Sequence, residues 1–509
     1  MFSGLLSKDR FRLAGDFESR RGEFLLRKTK LVATLGPATD RPGVLLELIK
    51  QGLDVARLNF SHGSHDEHLG RMVAVRECSE QVGRFVGILA DISGPKIRLG
   101  NLTNPLQLRA NDIVRLIEAP YSDDDYVLPV QVPDVLSQMK EGIRFSIADG
   151  LITLVATKVS DSSVTARVLV GGIVSSRKGI SFPGIKIKLR TITEKDKGDI
   201  IFATQQGADF LAISFVRSEH DIIEARQIAR EAAQGRDVPR IIAKIETPFA
   251  LERIEEIAKE ADGIMVARGD LGVEIDAEEV PLEQKRLIHI CNSLGKPVIT
   301  ATQMLESMVH SPIPTRAEAT DVATAILDGT DAVMLSGETA VGEFPIEALT
   351  VLGRIAERTE REFHNSALTQ VVRPSPVRKS VADSIAFCAA ELTNSLPIKA
   401  IVASTKSGHS ARVIAKFRPD VTIVGATPYI SVARSLTLSF GVTPAIVSKS
   451  LDTDKVLDES VTAAQRMGII KEGDLVVLVL GLPFGVGGTT NLLKVHLVGG
   501  GYLMGERVG

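Results

Sequence analysis

The chain has 509 residues, which is too long for one hydrophobic core and predicts about two to four domains. Its 60 basic and 63 acidic side chains give a net charge of −3, so neither nucleic acid nor an anionic membrane is an expected partner. Three widely separated cysteines without CxxC spacing, and the absence of a long apolar run, exclude a disulfide framework, a cysteine zinc site and a membrane span, and predict a cytoplasmic protein.

The first 27 residues are predicted to form a charged N-terminal arm. They combine several basic side chains with Asp9, Asp16, Glu18 and Glu23, and they lack a continuous apolar segment. A signal or transit peptide is therefore not expected at this end of the sequence.

Eight short apolar runs follow, and amphipathic helical segments lie between most of them. Most runs are almost continuously apolar, as is typical of parallel strands that are buried on both faces. Eight such units predict a closed (β/α)8 TIM barrel, with an open doubly wound sheet as the alternative. The predicted strands lie within residues 30–36, 53–61, 84–92, 209–216, 240–247, 263–270, 296–303 and 331–338.

About a hundred residues separate the third run from the next helical segment, which is far longer than an ordinary loop. Alternating patterns such as RFSIADGLITLVATKV predict strands in this stretch. We therefore predict a small β-barrel cap domain over residues 94–188, inserted into a barrel domain formed by residues 28–93 and 189–362.

The segment PSPVR predicts a linker after the barrel, and a new alternation of strands and helices follows it. Predicted strands such as IKAIVAST and VTIVGAT alternate with predicted helices such as SARVIAKF. This pattern predicts a C-terminal doubly wound α/β domain over residues 363–509.

Polar side chains are concentrated at the predicted carboxyl ends of the barrel strands, where the catalytic groups of such barrels lie. Glu246 and Asp270 end two successive strands, and their hard carboxylate oxygens suit Mg²⁺ or Mn²⁺. From the residues alone, an ion pair of these carboxylates with Lys244 or Arg268 is an equal alternative.

Two basic residues are the predicted cations of this site. Lys244 lies two residues before the first carboxylate, so both project from one face of the strand, and its ammonium can stabilise negative charge on a transferring group. Arg57 suits bidentate capture of phosphate or carboxylate, and Asn59 and Ser61 follow it on the same face. His62 is more typical of a hydrogen-bonding loop residue than of a general base.

Several long motifs of the chain resemble those of pyruvate kinase. They are KTKLVATLGPAT, LDVARLNFSHG, DISGPKIRLG, RKGISFPG, IIAKIET, GIMVARGDLGVEI, ITATQMLESM, PTRAEATDVATAILDGTDAVMLSGETAVGEFP and a distal TTN. The resemblance extends from about residue 28 to the end. It implies a catalytic barrel, a mobile cap, a regulatory C-terminal domain and a homotetramer. It also implies that phosphoenolpyruvate and ADP give pyruvate and ATP in the last step of glycolysis.

Two other classes of protein remain as alternatives at this point. One is a Mg²⁺-dependent barrel lyase or aldolase acting on pyruvate or its enolate, and the other is a non-catalytic metabolite sensor. The RKGISFPG motif favours the kinase over the lyase, because a lyase needs no cap with a phosphate-facing lysine. The intact set of expected catalytic residues argues against the sensor.

The resemblance implies a role for each residue at the matching motif positions. Arg57 would hold the transferring phosphoryl group, Lys244 would stabilise it, and Glu246 and Asp270 would hold Mg²⁺ or Mn²⁺. The residues implied to approach the nucleotide are Thr34, Asn59, His62, Arg98 and Lys178, the last of them from the cap.

The carboxylate of phosphoenolpyruvate has its own implied site. It would be held by the backbone N–H groups of Gly269 and Asp270 together with the hydroxyl of Thr302. Thr302, or a water molecule beside it, is also a candidate for the path that protonates the enolate.

The resemblance further implies a nest for a monovalent cation, formed by Asn59, Ser61, Asp91 and the backbone carbonyl of Ile92. Many potassium-dependent relatives carry threonine and glutamate where this chain has Ile92 and Lys96. We therefore predict that the ammonium group of Lys96 replaces potassium.

One loop of the C-terminal domain has the composition of an anion site. It follows a predicted strand and opens a helix, with hydroxyls, a lysine and unpaired N–H groups, and an ordinary capped helix start is the alternative. The glycine-rich segment 481–491 would close over it. We predict a phosphorylated allosteric effector, either a sugar phosphate or a nucleoside monophosphate. The loop consists of Ser404, Thr405, Lys406, Ser407 and Gly408.

Overall fold

The structure is a computed structural model that describes residues 27–132, 135–148, 150–160, 162–185, 190–363, 380–450, 452–482 and 490–500. The predicted arm up to residue 26, the predicted linker and most of the segment 481–491 lie outside these residues. Within the described ranges, no helix combines the length and the hydropathy that a membrane crossing requires.

The described chain opens with three strands and two helices. The second helix begins with a capping box, in which Ser64 and Glu67 bond each other's backbone N–H groups, and it ends at Gly83 in the left-handed region. In chain order these elements are β1 (Lys30–Thr34), α1 (Val44–Lys50), β2 (Val55–Asn59), α2 (His65–Val82) and β3 (Gly87–Ile92).

The inserted segment forms a small all-β unit around its own hydrophobic core. Its main sheet has the order β13-β9-β10-β11-β6-β8. Leu99 bridges to Val130 of β8 and Arg98 bridges to Gly179 beside β13, so these bridges close the sheet into a barrel. The strands are β4 (Asn101–Leu102), β5 (Leu106–Leu108), β6 (Ile113–Glu118), β7 (Tyr121–Ser122), β8 (Val127–Val130), β9 (Arg144–Ile147), β10 (Ile152–Ser160), β11 (Ser163–Val170), β12 (Gly172–Val174) and β13 (Ile180–Ser181), with a 3-10 turn at Leu136–Gln138.

The chain then returns to the barrel and completes it with five strands. These are β14 (Phe210–Ile213), β15 (Arg240–Ile245), β16 (Gly263–Ala267), β17 (Val298–Ala301) and β18 (Ala332–Leu335). The helices are α3 (Glu194–Gln205), α4 (Glu219–Ala233), α5 (Pro248–Glu252), α6 (Ile254–Glu260), α7 (Arg268–Glu274), α8 (Val280–Leu294), α9 (Arg316–Leu327), α10 (Gly337–Ala340) and α11 (Pro345–Phe363), with a 3-10 turn at Glu306–Val309.

The eight strands predicted from the sequence form one closed parallel barrel in the order β1-β18-β17-β16-β15-β14-β3-β2. One apolar cluster fills the barrel interior, and a larger one lies between the strands and the surrounding helices. Both faces of each strand are therefore covered, which explains the continuous apolar runs in the sequence. The predicted TIM barrel is confirmed.

The C-terminal unit is a five-stranded sheet in the order β21-β20-β19-β22-β23, parallel except for its last strand. Separate apolar clusters cover its two faces, so the predicted doubly wound fold is confirmed. The elements are α12 (Val381–Ser395), β19 (Ile398–Ser404), α13 (His409–Ala415), β20 (Thr422–Thr427), α14 (Ile430–Leu436), β21 (Val442–Ile446), α15 (Thr453–Arg466), β22 (Leu475–Gly481) and β23 (Thr490–Leu497).

Candidate active site

Three side chains that leave separate strands meet at the carboxyl end of the barrel. Asp91 of β3 accepts a 2.7 Å hydrogen bond from Nε of Arg57 and lies 3.1 Å from Nζ of Lys244. All three side chains are buried. Burial alone would raise the pKa of Asp91, but the Lys244 and Arg57 cations outweigh it and hold that pKa below its usual range. Asp91 is therefore an anion that fixes two cations.

Lys244 of β15 is the centre of this cluster. Its Nζ lies 2.8 Å from Oε1 of Glu246 and donates a 2.6 Å hydrogen bond to the hydroxyl of Ser214. Burial would lower the pKa of Lys244, but Asp91 and Glu246 raise it well above its ordinary value. The ammonium is thus charged, oriented and able to stabilise a developing anion.

Glu246 lies between this ammonium and a second carboxylate. Burial raises its pKa, Lys244 acts in the opposite direction, and the nearby charge of Asp270 adds to the rise. A divalent cation at these two carboxylates would remove this repulsion, so the donor set fits a hard metal ion. Among the described residues, no group of three or more His, Cys, Asp or Glu side chains is arranged to enclose a metal alone. Substrate and water would therefore have to supply the remaining ligands.

Arg268 does not pair with these carboxylates, whereas Lys244 pairs with Glu246 at 2.8 Å, so the ion-pair alternative holds for Lys244 and is wrong for Arg268. Its guanidinium donates to Asp321 at 2.7 Å and to the backbone carbonyls of Thr302 and Gln303 at 2.8 and 3.3 Å. Thr302 and Gln303 have φ angles of 69° and 54°, a left-handed conformation that is costly for side chains other than glycine. Arg268 therefore holds a strained loop at the end of β17.

The same loop carries the predicted contact to a substrate carboxylate. The hydroxyl of Thr302 accepts the N–H of Gly269 at 2.7 Å and donates to the carbonyl of Ala301 at 2.6 Å. Gly269 and Asp270 form the first turn of α7, where backbone N–H groups lack helical acceptors. The structure brings Thr302 and Gly269 into direct contact, as the predicted carboxylate site requires.

The predicted monovalent-cation nest lies at the ends of β2 and β3. Asn59 accepts the N–H of Ser61 through its side-chain oxygen at 3.1 Å, and Ile92 is the last residue of β3. Lys96 lies further along the same loop, and its Nζ is 4.0 Å from Oδ1 of Asp270. The ammonium of Lys96 is therefore beside the proposed metal carboxylate.

The predicted nucleotide residues are distributed between the barrel and the cap. The hydroxyl of Thr34 accepts a 2.8 Å hydrogen bond from Arg57, which links it to the central cluster. His62 is exposed, and its carbonyl accepts a hydrogen bond from the ring of His68. Arg98 and Lys178 lie on the cap, where they form part of the ladder that closes its sheet.

The cap is attached to the barrel near this cleft. Gly94 begins the connection with a φ of 69°, and a β-carbon there would lie 2.9 Å from the ring of Phe215, so only glycine fits. The hydroxyl of Ser181 on the cap donates a hydrogen bond to Glu274 of α7. The cap therefore faces the helix that carries Asp270.

The predicted effector loop connects β19 to α13. The hydroxyl of Ser404 is hydrogen-bonded to that of Ser460 at 2.9 Å, and Gly408 has a φ of 81° before the helix. Thr405 donates its N–H to Ala426, whereas Lys406 is exposed. The N–H of Thr405 is therefore already used in a backbone hydrogen bond, whereas the side chain of Lys406 is accessible to a ligand.

Sequence reasoning missed the contribution of strand β14. Ser214 follows this strand and bonds Lys244, and the N–H of Phe215 donates a 2.6 Å hydrogen bond to Oε2 of Glu246. Phe215 has a φ of 53°, a left-handed conformation that is uncommon for residues other than glycine. A serine directly after an apolar run was the available signal.

The comparisons with known proteins agree with this architecture. A model of the pyruvate kinase barrel domain matches residues 26–349, and a model of the pyruvate kinase alpha/beta domain matches residues 383–496. The chain is 45% identical to a pyruvate kinase of Geobacillus stearothermophilus over 95% of this chain and 82% of that protein. It is 39% identical to a pyruvate kinase of Clostridium perfringens over 93% of this chain and 100% of that protein.

A solved structure gives the same result at the level of the fold. The crystal structure of a pyruvate kinase from Cryptosporidium parvum superposes with a TM-score of 0.86 and 36% identity, covering 93% of this chain and 96% of that one. The matched residues include the barrel, the cap and most of the C-terminal unit. The chain therefore belongs to the pyruvate kinase family, the phosphotransferases that convert phosphoenolpyruvate and ADP into pyruvate and ATP in the last step of glycolysis.

Proposed function

We propose that this chain performs phosphoryl transfer with the cluster of Arg57, Asp91, Lys244 and Glu246, beside Asp270. The observation that carries the proposal is a buried lysine that contacts two carboxylates, one of which also orients an arginine. Such a set of fixed charges stabilises a transferring phosphoryl group without reorganisation during the reaction.

The substrate phosphoenolpyruvate is proposed to bind between this cluster and α7. Arg57 holds its phosphoryl group, and Lys244 stabilises both that group in flight and the enolate that remains. The N–H groups of Gly269 and Asp270 and the hydroxyl of Thr302 bind the carboxylate. The contact between Gly269 and Thr302 supports this, because it places the Gly269 N–H and the Thr302 hydroxyl side by side. A bound carboxylate would replace Thr302 as the acceptor of the first donor and Ala301 as the acceptor of the second. Thr302 also begins the proposed proton path to carbon.

Members of this family generally use a divalent metal ion and a monovalent cation. We propose that Glu246 and Asp270 hold Mg²⁺ or Mn²⁺ in this chain. When bound, such an ion would neutralise charge on the transferring group and on the substrate oxygens. The raised pKa of Glu246, due first to burial, supports this assignment, because a nearby cation would favour its ionised form.

The monovalent cation is proposed to be replaced by Lys96 at the nest formed by Asn59, Ser61, Asp91 and Ile92. The ammonium group has the charge of potassium, and it is attached to the loop that follows Asp91. Its position 4.0 Å from Asp270 supports a role for this charge at the active site.

The nucleotide is proposed to bind in the cleft between barrel and cap. Its contacts would be Thr34, Asn59 and His62 of the barrel with Arg98 and Lys178 of the cap. The contact of Ser181 with Glu274 supports this arrangement, because it draws the cap over α7.

The proposal also includes an effector site, an oligomeric state and the domain boundaries. A phosphorylated effector binds the loop of residues 404–408, and the enzyme is a cytoplasmic homotetramer without nucleic-acid or membrane partners. The domain boundaries are proposed as 28–93 with 189–362 for the barrel, 94–188 for the cap and 363–509 for the C-terminal domain, with an arm over 1–27. The separate hydrophobic cores of barrel, cap and C-terminal unit support this division.

An assay that couples pyruvate formation to lactate dehydrogenase tests the reaction. We expect pyruvate only when phosphoenolpyruvate, ADP and a divalent metal are all present, and a large loss of rate in Glu246→Gln. The matched control is Glu362→Gln, an exposed carboxylate on α11. Pyruvate formation without ADP would indicate a lyase instead, and inactivity of the wild type would leave the sensor interpretation.

A further inference from the structure

A small cavity lies at the opposite end of the barrel from the active site, where the base of the barrel meets the C-terminal unit. It is lined by residues after α8, before β18, on α13 and near β21. Most of the lining residues have a polar or charged side chain, although much of the surface that they expose to the cavity is apolar. Those used below are Lys296, Asp331, Arg412, Lys416, Arg418 and Ser439.

Arg418 is the most deeply buried cation of this cavity, with 6% of its surface exposed. Its NH2 group donates to Asn292 at 2.8 Å and to the carbonyl of Gly329 at 2.7 Å, and lies 3.2 Å from Asp331. Its Nε and NH1 groups have no hydrogen-bond partner within the described part of the chain. The buried hydroxyl of Ser439 has none there either. Leaving such groups unpaired is costly, so a bound species is expected to satisfy them.

The cavity also has more positive than negative charge. Lys416 is paired with Asp383 at 2.9 Å, as Arg418 is with Asp331. Lys296 donates to backbone carbonyls, and so does Arg412, but neither has a carboxylate within ion-pair distance among the described residues. Two cations at this boundary are therefore left without a paired anion.

The pKa values of Lys296 and Arg412 are consistent with the lack of a carboxylate at ion-pair distance. Burial lowers the pKa of Arg412 to about 10, and the nearby Arg240 adds to the decrease. Burial also lowers the pKa of Lys296, and the charge of Asp262 opposes the decrease in both groups without cancelling it. Both groups are thus destabilised in their charged forms, and a nearby anion would offset this destabilisation.

We propose that this cavity is a binding site for a small inorganic anion of the halide class. A water molecule could accept the unpaired hydrogen bonds, but it would not compensate the charge. The free space is small, about 10 Å³, which favours a monatomic ion over a phosphate ester or a nucleotide. The anion contacts both the barrel and the C-terminal unit, so it fastens the two together at a distance from the substrates.

Bromide is the probe for the first test. Crystals of the full-length wild-type protein are soaked in sodium bromide, and diffraction data are collected at the bromine absorption edge. We expect an anomalous peak within hydrogen-bond distance of Nε or NH1 of Arg418. Ordinary density without an anomalous signal would identify a water molecule and overturn the proposal.

The second test measures binding in solution. Thermal unfolding of the full-length protein is compared in sodium bromide and in sodium gluconate, whose anion is too large for the cavity, at matched ionic strength. We expect bromide to raise the Tm to a plateau, because a ligand that binds only the native state stabilises it by mass action.

Two variants and one control connect this response to the cavity. Arg412→Met removes an unpaired cation, and Ser439→Ala removes a neutral donor, so both should lose most of the bromide-dependent rise. Arg358→Met removes an exposed cation from α11 and should retain it. Equal bromide responses in all four proteins would overturn the proposal. A bromide peak in crystals together with equal responses would identify an adventitious ion only, which also overturns it.

Discussion

Lys244 is a buried side chain whose charge is stabilised by two carboxylates and a hydroxyl. Because the three partners come from three different strands, the ammonium is held from several directions before any substrate binds. A group fixed in this way contributes mainly to the transition state rather than to ground-state binding.

The Lys244→Met substitution therefore should reduce kcat by about 10²–10³-fold, the usual cost of losing one preorganised electrostatic group. The apparent affinity for phosphoenolpyruvate should change much less, since Arg57 and the carboxylate site remain. Steady-state kinetics with the coupled assay measure both constants. Ser214→Ala, which removes only the hydroxyl partner of Lys244, should lose much less activity, and near-wild-type turnover in Lys244→Met would refute the assignment.

Lys96 leads to a second prediction at this scale. The wild-type enzyme should be active in tetramethylammonium buffer, and potassium chloride should add little. Lys96→Glu should acquire potassium dependence and keep its divalent-metal requirement, because a glutamate cannot supply the positive charge. The measurement is initial rate against potassium concentration at constant ionic strength. Strong potassium activation of the wild type would contradict the proposed replacement.

The residues of the site differ in how far the sequence predicts their positions. Lys244, Glu246 and Arg57 could be predicted because parallel strands bring their carboxyl ends to one edge. The contact of Arg268 could not, since it depends on a left-handed turn after β17 that no local pattern specifies. Arg268 was one of two possible ion-pair partners of the carboxylates, and it instead supports the Thr302 loop.

At the scale of elements, the turn after β17 depends on the first residue of α7. Arg268→Met should release the carbonyls of Thr302 and Gln303 and allow the strained turn to relax. Charge-assisted hydrogen bonds of this kind contribute about 1.5–3 kcal/mol each, so KM for phosphoenolpyruvate should rise about tenfold or more. Asp321→Asn, which removes only the anchor of Arg268, should show a smaller rise. An unchanged KM in Arg268→Met would mean that the turn keeps its conformation without the hydrogen bonds from Arg268.

Strand β1 connects the barrel base to the C-terminal unit through Lys30, which donates a 2.8 Å hydrogen bond to the carbonyl of Val442. Burial lowers the pKa of Lys30 from 10.5 to about 8, although Asp54 opposes the shift. Below pH 8 Lys30 is protonated in both the folded and the unfolded chain, so the folded state is destabilised by the full free-energy cost of burying the charged ammonium. Between pH 8 and 10.5 only the unfolded chain retains it, and stability rises with pH.

This linkage is tested by comparison with Lys30→Met. The free energy of unfolding of the wild type, relative to the variant, should increase by about 3 kcal/mol as pH rises through this window. Urea unfolding at the two ends of the window measures the difference. A constant difference between the two proteins would show that Lys30 is charged throughout.

Strands were predicted correctly from the sequence where they form continuous apolar runs. All eight barrel strands were found, because each is buried on both faces and reads as a continuous apolar run. Strand β21 was missed, since Pro444 interrupts its pattern, and its position at the sheet edge is where a proline is tolerated. The closure of the cap by single bridges at Arg98 and Leu99 has no sequence signature either.

In the molecule as a whole, the proposed effector site at residues 404–408 leads us to expect regulation across domains. A phosphorylated metabolite should shift the saturation curve for phosphoenolpyruvate, and Lys406→Ala should abolish most of that shift while leaving basal kcat unchanged. Lys399→Ala removes an exposed lysine from the other end of β19 and should retain the shift. Screening sugar phosphates and nucleoside monophosphates against the three proteins measures this. A shift that survives in Lys406→Ala would exclude the loop.

Strand β15 has two ends with different neighbours. At its start, Arg240 donates a 3.2 Å hydrogen bond to the carbonyl of Ser407 in the effector loop, and near its end stands Lys244. A strand advances about 3.3 Å per residue, so the four-residue separation corresponds to roughly 13 Å. Parallel ladders on both sides prevent this strand from bending independently. A movement of the loop would thus be transmitted to the ammonium group of Lys244 through a strand that is hydrogen-bonded on both sides and contains no flexible segment.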